Sequence, residues 1–129
     1  MVRAVYEGVA YNSRWLLKYV EQFIGRHVGA INFVGGGAKS DIWCQILADV
    51  FNHTIRQAKD PIEVNVRGAA LLASAALGHI RYEEIAARVP ISKSYEPDPD
   101  HLRIYEKLFG EFVSIYERNR KIFARLNRV

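Results

Sequence analysis

The sequence has a single cysteine and no long apolar run. Cys44 is the only cysteine among 129 residues, so no internal disulfide can form, which fits a reducing compartment. No apolar run approaches the roughly 18 residues of a membrane-spanning helix. The N-terminus also lacks the basic, apolar and small-residue order of a signal peptide. We therefore expect a cytoplasmic protein with no membrane partner.

The surplus of one charge sign is modest. The chain carries 18 basic and 14 acidic residues, a formal net charge of +4. No aromatic stacking platform or recognisable nucleic-acid module accompanies the surplus. We therefore interpret it as a solvated helix end whose charges suit the helix dipole, and expect no nucleic-acid partner. A footprint for nucleic-acid phosphates is the lesser alternative. The surplus lies on a predicted C-terminal helix, at Arg118, Arg120, Lys121, Arg125 and Arg128.

Hydrophobic spacing predicts three elements in the first half of the chain. Apolar residues three, four or seven apart predict a helix over residues 2–25 that stops at Gly25. The run from Ala30 to Val34 predicts a buried strand, because it is too short for a helix and ends in glycines. Helical spacing returns between Ser40, a good N-cap, and Phe51. The apolar face of the first helix consists of Val2, Val5, Val9, Leu16, Val20 and Phe23.

The second half is predicted to add a strand and two helices. His53 to Gln57 is a candidate short strand, and Val66 to Leu77 a helix closed by Gly78. The many small residues of that helix predict tight packing on the sheet. Pro90 to Pro99 is a turn-rich connector before a long amphipathic helix from Asp100 to about Leu126. Alternating helices and strands imply an α/β layer with parallel strands.

One glycine-rich segment, Val34 to Ser40, lies between a predicted strand and a helix. Bare glycine backbone at a strand end leaves room for a ligand, and the following helix directs its dipole there. A P-loop is excluded because Ala38 precedes Lys39, where that loop requires glycine. A dinucleotide fingerprint is excluded because Ser40 occupies its last glycine position. Taken alone, the triplet Gly35–Gly37 is either a ligand loop or a plain turn.

The surrounding sequence resembles the FGGY carbohydrate kinases. The resemblance rests on INFVGGGAKSDIWCQILADVF (31–51) followed by VRGAALLASAALG (66–78). The opening RAVYEGVAYNSRWLL (3–17) is similar to the helix before that motif, and SYEPDPDHLRIYEKLFGEFVSIYE (94–117) to the family's closing helix. The three blocks occur in the family's order and cover nearly the whole chain. Within the family the resemblance favours xylulokinases and their close relatives.

The resemblance implies a fold and a role. Residues 1–129 would be the C-terminal part of the second of two actin-like (ribonuclease H-like) ATPase domains, with a short parallel sheet and long flanking helices. ATP or ADP would bind the glycine loop, with Mg²⁺ in the parent enzyme and the sugar bound only in the full-length protein. The family's catalytic aspartate and sugar pocket lie in earlier segments, as if the front of a larger protein were missing. We therefore expect no catalytic residue here and no activity from this chain alone. The implied nucleotide-binding residues are Gly35, Gly36, Gly37, Ala38, Lys39 and Ser40.

The other residues that could bind a ligand or take part in chemistry are interpreted as structural. Trp43 lies on the apolar row of its helix, so core packing is favoured over stacking on a base. Asp49 is a full helix away from the glycines, so a structural hydrogen bond or ion pair is favoured over Mg²⁺ binding. Cys44 is expected to be a small buried apolar residue. The histidines show no ligand spacing in sequence, so no metal site is expected among His27, His53, His79 and His101.

The strand Ala30 to Val34 also predicts self-association. By the resemblance it would have partners on both sides, and here one edge would be open. Pairing of strand edges or exchange of helices would then give a homo-oligomer. A non-catalytic, self-associating interaction module is therefore the alternative to the kinase role.

Overall fold

The computed structural model describes residues 1–127 and consists of four α-helices around a three-stranded sheet. The helices are α1 (Val2–Ile24), α2 (Asp41–Phe51), α3 (Val64–Ala76) and α4 (Pro99–Leu126). The strands are β1 (Ala30–Phe33), β2 (Thr54–Ala58) and β3 (Ile91–Tyr95), and short 3₁₀ turns cover Gly36–Lys39, Tyr82–Glu84 and Ala86–Arg88. None of these helices is both long enough and apolar enough to cross a membrane.

The sheet is mixed, with β2 at its centre. Strands β1 and β2 are parallel, from Ala30 opposite Thr54 to Phe33 opposite Gln57. Helix α2 connects them, as a parallel pair requires. Strand β3 runs antiparallel to β2, with Ile55 opposite Tyr95. Within the described residues β1 pairs on one side only, so the predicted open edge is present.

The core forms around α2. Its buried side chains pack against Tyr11 of α1, Ile55 of β2 and Tyr105 of α4. The predicted Ser40 cap is confirmed, because its Oγ accepts a hydrogen bond from the Trp43 amide at 3.3 Å. The residues that α2 buries are Cys44, Ile46, Leu47, Ala48, Asp49 and Val50.

Strand β3 was not predicted from the sequence. Its residues fall in the segment Pro90 to Pro99, which was predicted to be a turn-rich connector. The strand has no alternating apolar pattern, because four of its five residues are exposed and only Tyr95 is buried. It is held by backbone pairing to β2, a signal that periodicity does not carry. The short parallel sheet of the prediction is therefore a parallel pair extended by one antiparallel strand.

The burial of α3 also differs from expectation. Only Ala75 is buried, and Gly68 has no neighbouring atom where a Cβ would stand. The prediction that this helix packs tightly on the sheet is therefore wrong for residues 1–127. The C-cap is Leu77, and Gly78 follows it with a φ of 77°.

The predicted helix over residues 2–25 exists, but its buried face is another one. The side chains buried on α1 are Ala10 and Tyr11. The predicted apolar row is largely exposed, with Phe23 92% accessible. The spacing of apolar residues therefore predicted the helix correctly. The residues that it predicted to be buried are not the ones that pack within residues 1–127.

Candidate functional site

The glycine loop lies at the carboxyl end of β1. Gly35 has a φ of 83°, in the region that favours glycine, and turns the chain out of the strand. Its amide donates to the carbonyl of Pro61 at 2.7 Å, which joins the loops that follow the two parallel strands. In α/β sheets this edge is where ligands commonly bind.

Two amides of the loop have no internal partner. The Ala38 amide donates to the Gly35 carbonyl and the Ser40 amide to the Gly37 carbonyl, both at 3.1 Å. Among residues 1–127, the amides of Gly36 and Gly37 have no hydrogen-bond acceptor. Both glycines are exposed. Adjacent free amides of this kind suit an anion.

The three glycines serve different purposes. A Cβ on Gly36 would meet no atom within 4 Å, and the same is true of Gly35. A Cβ on Gly37 would lie 2.9 Å from Trp43 Nε1 and 3.2 Å from Phe33 Cζ. Gly37 is therefore required for packing, while Gly35 and Gly36 leave open space beside the backbone.

Ala38 does not fit the contact role that the resemblance implied. The residue is fully buried. Its carbonyl accepts from Gln57 Nε2 at 2.5 Å and its amide is used within the loop. Ala38 anchors the loop to β2 instead. Lys39 is exposed and Ser40 half-buried beside it.

The N-terminus of α2 is already occupied by a carboxylate. Asp41 lies in the first turn and accepts hydrogen bonds from Tyr95 Oη at 2.7 Å and Lys93 Nζ at 2.9 Å. These two donors lower the pKa of the Asp41 carboxyl below its ordinary value. The dipole of α2, expected to attract a ligand anion, therefore already interacts with Asp41. Sequence reasoning missed this, although acidic residues are common in a first helical turn.

Trp43 belongs to the packing beneath the loop. Its ring centroid lies 4.8 Å from that of Tyr6 and 6.3 Å from that of Phe33. It packs against the buried core as a partly buried side chain. The core interpretation of this residue is confirmed. Cys44, by contrast, is fully buried, and burial raises the pKa of its thiol.

Asp49 is a buried structural carboxylate. Its side chain is 1% exposed and accepts from Gln45 Nε2 at 2.8 Å and from the Asp98 amide at 2.9 Å. Its second oxygen lies 2.9 Å from His101 Nδ1. This hydrogen bond to Asp49 raises the pKa of His101 above its ordinary value of 6.5. The carboxylate thus joins α2 to the start of α4, as its structural interpretation predicted.

A shallow cavity of about 380 Å³ lies at the start of α3. It is lined by Glu63, Val66, Arg67 and Ala70. Glu63 follows Pro61 by two residues, so the cavity opens close to the loop that is bonded to Gly35. Arg67 is fixed there, because its Nη1 donates to the Lys59 carbonyl at 2.9 Å.

Two of the four histidines come together in space. His79 is exposed and His101 pairs with Asp49, but His27 and His53 meet beside Glu21. These three residues form the one group of possible metal ligands within residues 1–127. They lie at the amino ends of β1 and β2, away from the glycine loop. The absence of ligand spacing in sequence therefore did not exclude a ligand cluster in space.

Comparison with known proteins gives a consistent likeness. Residues 1–77 match the family model described as the C-terminal domain of the FGGY family of carbohydrate kinases. A xylulose kinase of Staphylococcus epidermidis is 32% identical over 126 residues, which cover 96% of this chain and 25% of that protein.

Solved structures agree in fold. Ligand-bound xylulose kinase from Lactobacillus acidophilus matches with a TM-score of 0.81 and 31% identity. Gluconate kinase from the same organism matches with a TM-score of 0.81 and 30% identity. Each match covers 98% of this chain and 26% of the other. The chain therefore spans about a quarter of the length of the relatives it matches.

Proposed function

The chain belongs to the FGGY family of carbohydrate kinases, and on that premise we propose that it is the nucleotide-binding C-terminal portion of an ATP-dependent sugar kinase. Family and α/β fold class agree with what the sequence resemblance implied. In this proposal residues 1–129 are the C-terminal part of the second actin-like domain. The nucleotide is ATP or ADP.

The observation that carries the proposal is the pair of free amides at Gly36 and Gly37. They belong to a loop at the carboxyl end of a parallel strand, where a Cβ on Gly36 would meet no atom within 4 Å. Two adjacent N–H donors fit the oxygens of an inner phosphate. Lys39 supplies positive charge at the rim, and the Ser40 hydroxyl has its hydrogen free to donate while its oxygen caps α2. Ala38 shapes the loop and makes no contact.

The cavity at α3 suits the nucleoside end of the ligand. Its lining joins apolar Val66 and Ala70 to charged Glu63 and Arg67, a mixture that suits a base and a ribose. Its closeness to Pro61, the acceptor for Gly35, places it within reach of a phosphate on the loop.

Phosphoryl transfer needs groups beyond this loop. It requires an aligned acceptor hydroxyl, a carboxylate to take its proton, and Mg²⁺ to offset phosphate charge. The one three-residue ligand group in residues 1–127 lies at the other end of the sheet, so Mg²⁺ is proposed for the parent enzyme, held with the nucleotide phosphates. We expect the 129-residue chain to bind nucleotide and to phosphorylate no sugar. Sugar-dependent ADP release by the purified chain would contradict this.

For the parent enzyme, we propose a xylulose-like sugar as the acceptor. The names of two relatives support this choice. A gluconate kinase is equally similar in structure. An assay of the parent enzyme with both sugars separates the alternatives, and preference for gluconate would contradict the proposal.

The nucleotide role is tested by calorimetric titration of the chain with ADP. A Cβ at Gly36 meets no atom of the fold, so Gly36→Val should weaken binding about tenfold or more, by filling the space beside the free amides, and leave the Tm unchanged. Gly29→Val is the matched control, because a Cβ there is equally free and lies before β1. Equal affinity in all three proteins would contradict the proposal.

A second candidate role is a self-associating module, which the exposed apolar surface favours. Phe23, Leu16 and Val5 are exposed along α1, and β1 has an unpaired edge within the described residues. Such surfaces promote association. Analytical ultracentrifugation should show concentration-dependent oligomers that Phe23→Glu weakens. A monomer at every concentration would exclude this role.

A further inference from the structure

Glu21, His27 and His53 converge from three different parts of the chain. Glu21 lies near the end of α1, His27 in the connection to β1, and His53 between α2 and β2. One ligand atom from each residue lies within 4.8 Å of the others. None of the three takes part in the glycine loop or in the packing described above.

The tautomer of His53 is fixed by the backbone. Its Nδ1 lies 2.6 Å from the carbonyl of Phe51, which has no proton to give, so Nδ1 carries the hydrogen. In the neutral ring Nε2 then carries a lone pair. A histidine held through its other nitrogen by a carbonyl is the usual arrangement around a bound metal.

That lone pair faces a carboxylate. His53 Nε2 lies 3.4 Å from Glu21 Oε1. Two electron-rich atoms at this distance repel each other unless a proton or a metal cation lies between or beside them. The separation also matches the edge of a zinc tetrahedron, about 3.4 Å for ligand bonds of roughly 2.0–2.2 Å.

The cluster combines two fixed ligands and one movable one. Glu21 Oε1 is held by the amide of Val28 at 2.8 Å. Glu21 and His53 are both largely covered, while the side chain of His27 is 80% exposed. In the structure His27 Nδ1 is hydrogen-bonded to Glu21. The exposed ring is free to draw back and offer Nδ1 to an ion.

The surrounding charges are nearly balanced. The cluster borders a cavity of about 270 Å³ whose lining includes Arg14, Lys18 and Glu106. Arg14 is engaged, since it donates to Glu106 at 2.6 Å and to the Val50 carbonyl at 3.0 Å. Lys18 opposes a cation and Glu21 favours it, which leaves the two imidazoles to decide which ion binds.

We propose that Glu21, His27 and His53 bind one divalent transition-metal ion, Zn²⁺ in the first instance, with water as a fourth ligand. Two imidazoles and one carboxylate form a ligand set that zinc accepts and that Mg²⁺ and Ca²⁺ do not prefer. The ion would tie the end of α1 to the starts of both parallel strands. The site is independent of nucleotide binding.

The test is a calorimetric titration of tag-free chain with Zn²⁺, followed by NMR of the imidazole resonances. One ion should bind per chain, and the His27 and His53 signals should move while His79 does not. His27→Gln should weaken binding about tenfold or more, since loss of a supporting residue alone costs that much. His79→Gln, another exposed histidine, is the matched control.

A folding control accompanies these titrations. Because His27 is exposed, its replacement should leave the circular dichroism spectrum and the Tm of the metal-free chain unchanged. Co²⁺ in place of Zn²⁺ should give the visible absorption of a tetrahedral ion, and Mg²⁺ should not bind. The proposal is overturned if Zn²⁺ does not bind, or if His27→Gln and His79→Gln bind it equally well. The first of these results would leave a cluster held by protons and hydrogen bonds alone.

Discussion

Helices α2 and α3 both follow strands of the parallel pair, yet they bury different amounts of themselves. Helix α2 places six of its eleven residues in the interior, and it contacts α1, the sheet and α4. Helix α3 places one of thirteen there. Of these two helices, only α2 contributes to the main core of residues 1–127.

The contrast shows what composition can and cannot predict. Small residues on α3 permit close approach of a partner, but within residues 1–127 only Ala75 of this helix is buried. Helix α2 carries Ile46 and Val50, and the burial of these apolar side chains within the chain stabilises the fold. Under the proposed function, the partner of α3 would belong to another part of the parent enzyme.

The largest expected effect is a truncation in α2. Ile46→Ala, at a side chain 1% exposed, should lower the free energy of unfolding by about 2–5 kcal/mol. Leu72→Ala on α3, at 55% exposure, should change it by less than about 0.5 kcal/mol. Denaturant unfolding of both variants measures the difference. Equal losses would show that α3 is packed in solution.

Asp49 tests whether α2 is also anchored by polar contacts. Asp49→Ala leaves the Asp98 amide and Gln45 without their acceptor and should cost about 3 kcal/mol. Asp49→Asn keeps one accepting oxygen and should cost less. A loss in Asp49→Ala no larger than in Leu72→Ala would contradict a structural role for this carboxylate.

The loop before α2 offers a matched pair of glycines. Gly37→Ala forces a methyl group against Trp43 and should cost about 1–3 kcal/mol. Gly36→Ala meets nothing and should stay within about 0.5 kcal/mol of wild type. Thermal unfolding distinguishes them, and equal stability would mean that Trp43 lies elsewhere.

The smallest effect is the pH dependence from His101. Its pKa is raised by Asp49, so its stabilising contribution is complete below pH 6.5 and is lost as pH rises through the folded pKa. NMR titration should give a pKa above 6.5 in the wild type and one closer to 6.5 in Asp49→Asn. A wild-type value at or below 6.5 would contradict the pairing.

Local patterns predicted local structure well. Helical spacing, Ser40 as a cap and the run ending at Val34 located α1, β1 and α2, because each signal lies within a few residues of its effect. Strand β3 was missed because its residues are exposed and its order comes from pairing with β2.

Contacts between residues that are distant along the chain could not be predicted from local sequence patterns. Which face of α1 is buried depends on Tyr105 and Phe112, about a hundred residues away. The meeting of Glu21 with His53 spans 32 residues and follows from the parallel alignment of two strands. The hydrogen bonds that hold the Asp41 carboxylate come from Tyr95 and Lys93 of the missed strand.

The most direct test of nucleotide binding at the glycine loop is a titration of ¹⁵N-labelled chain with ADP, followed by amide NMR. The account predicts saturable shifts of the Gly36 and Gly37 amides, with Gly29 and Gly110 unmoved. Unchanged glycine-loop signals, or shifts confined to the basic end of α4, would contradict it.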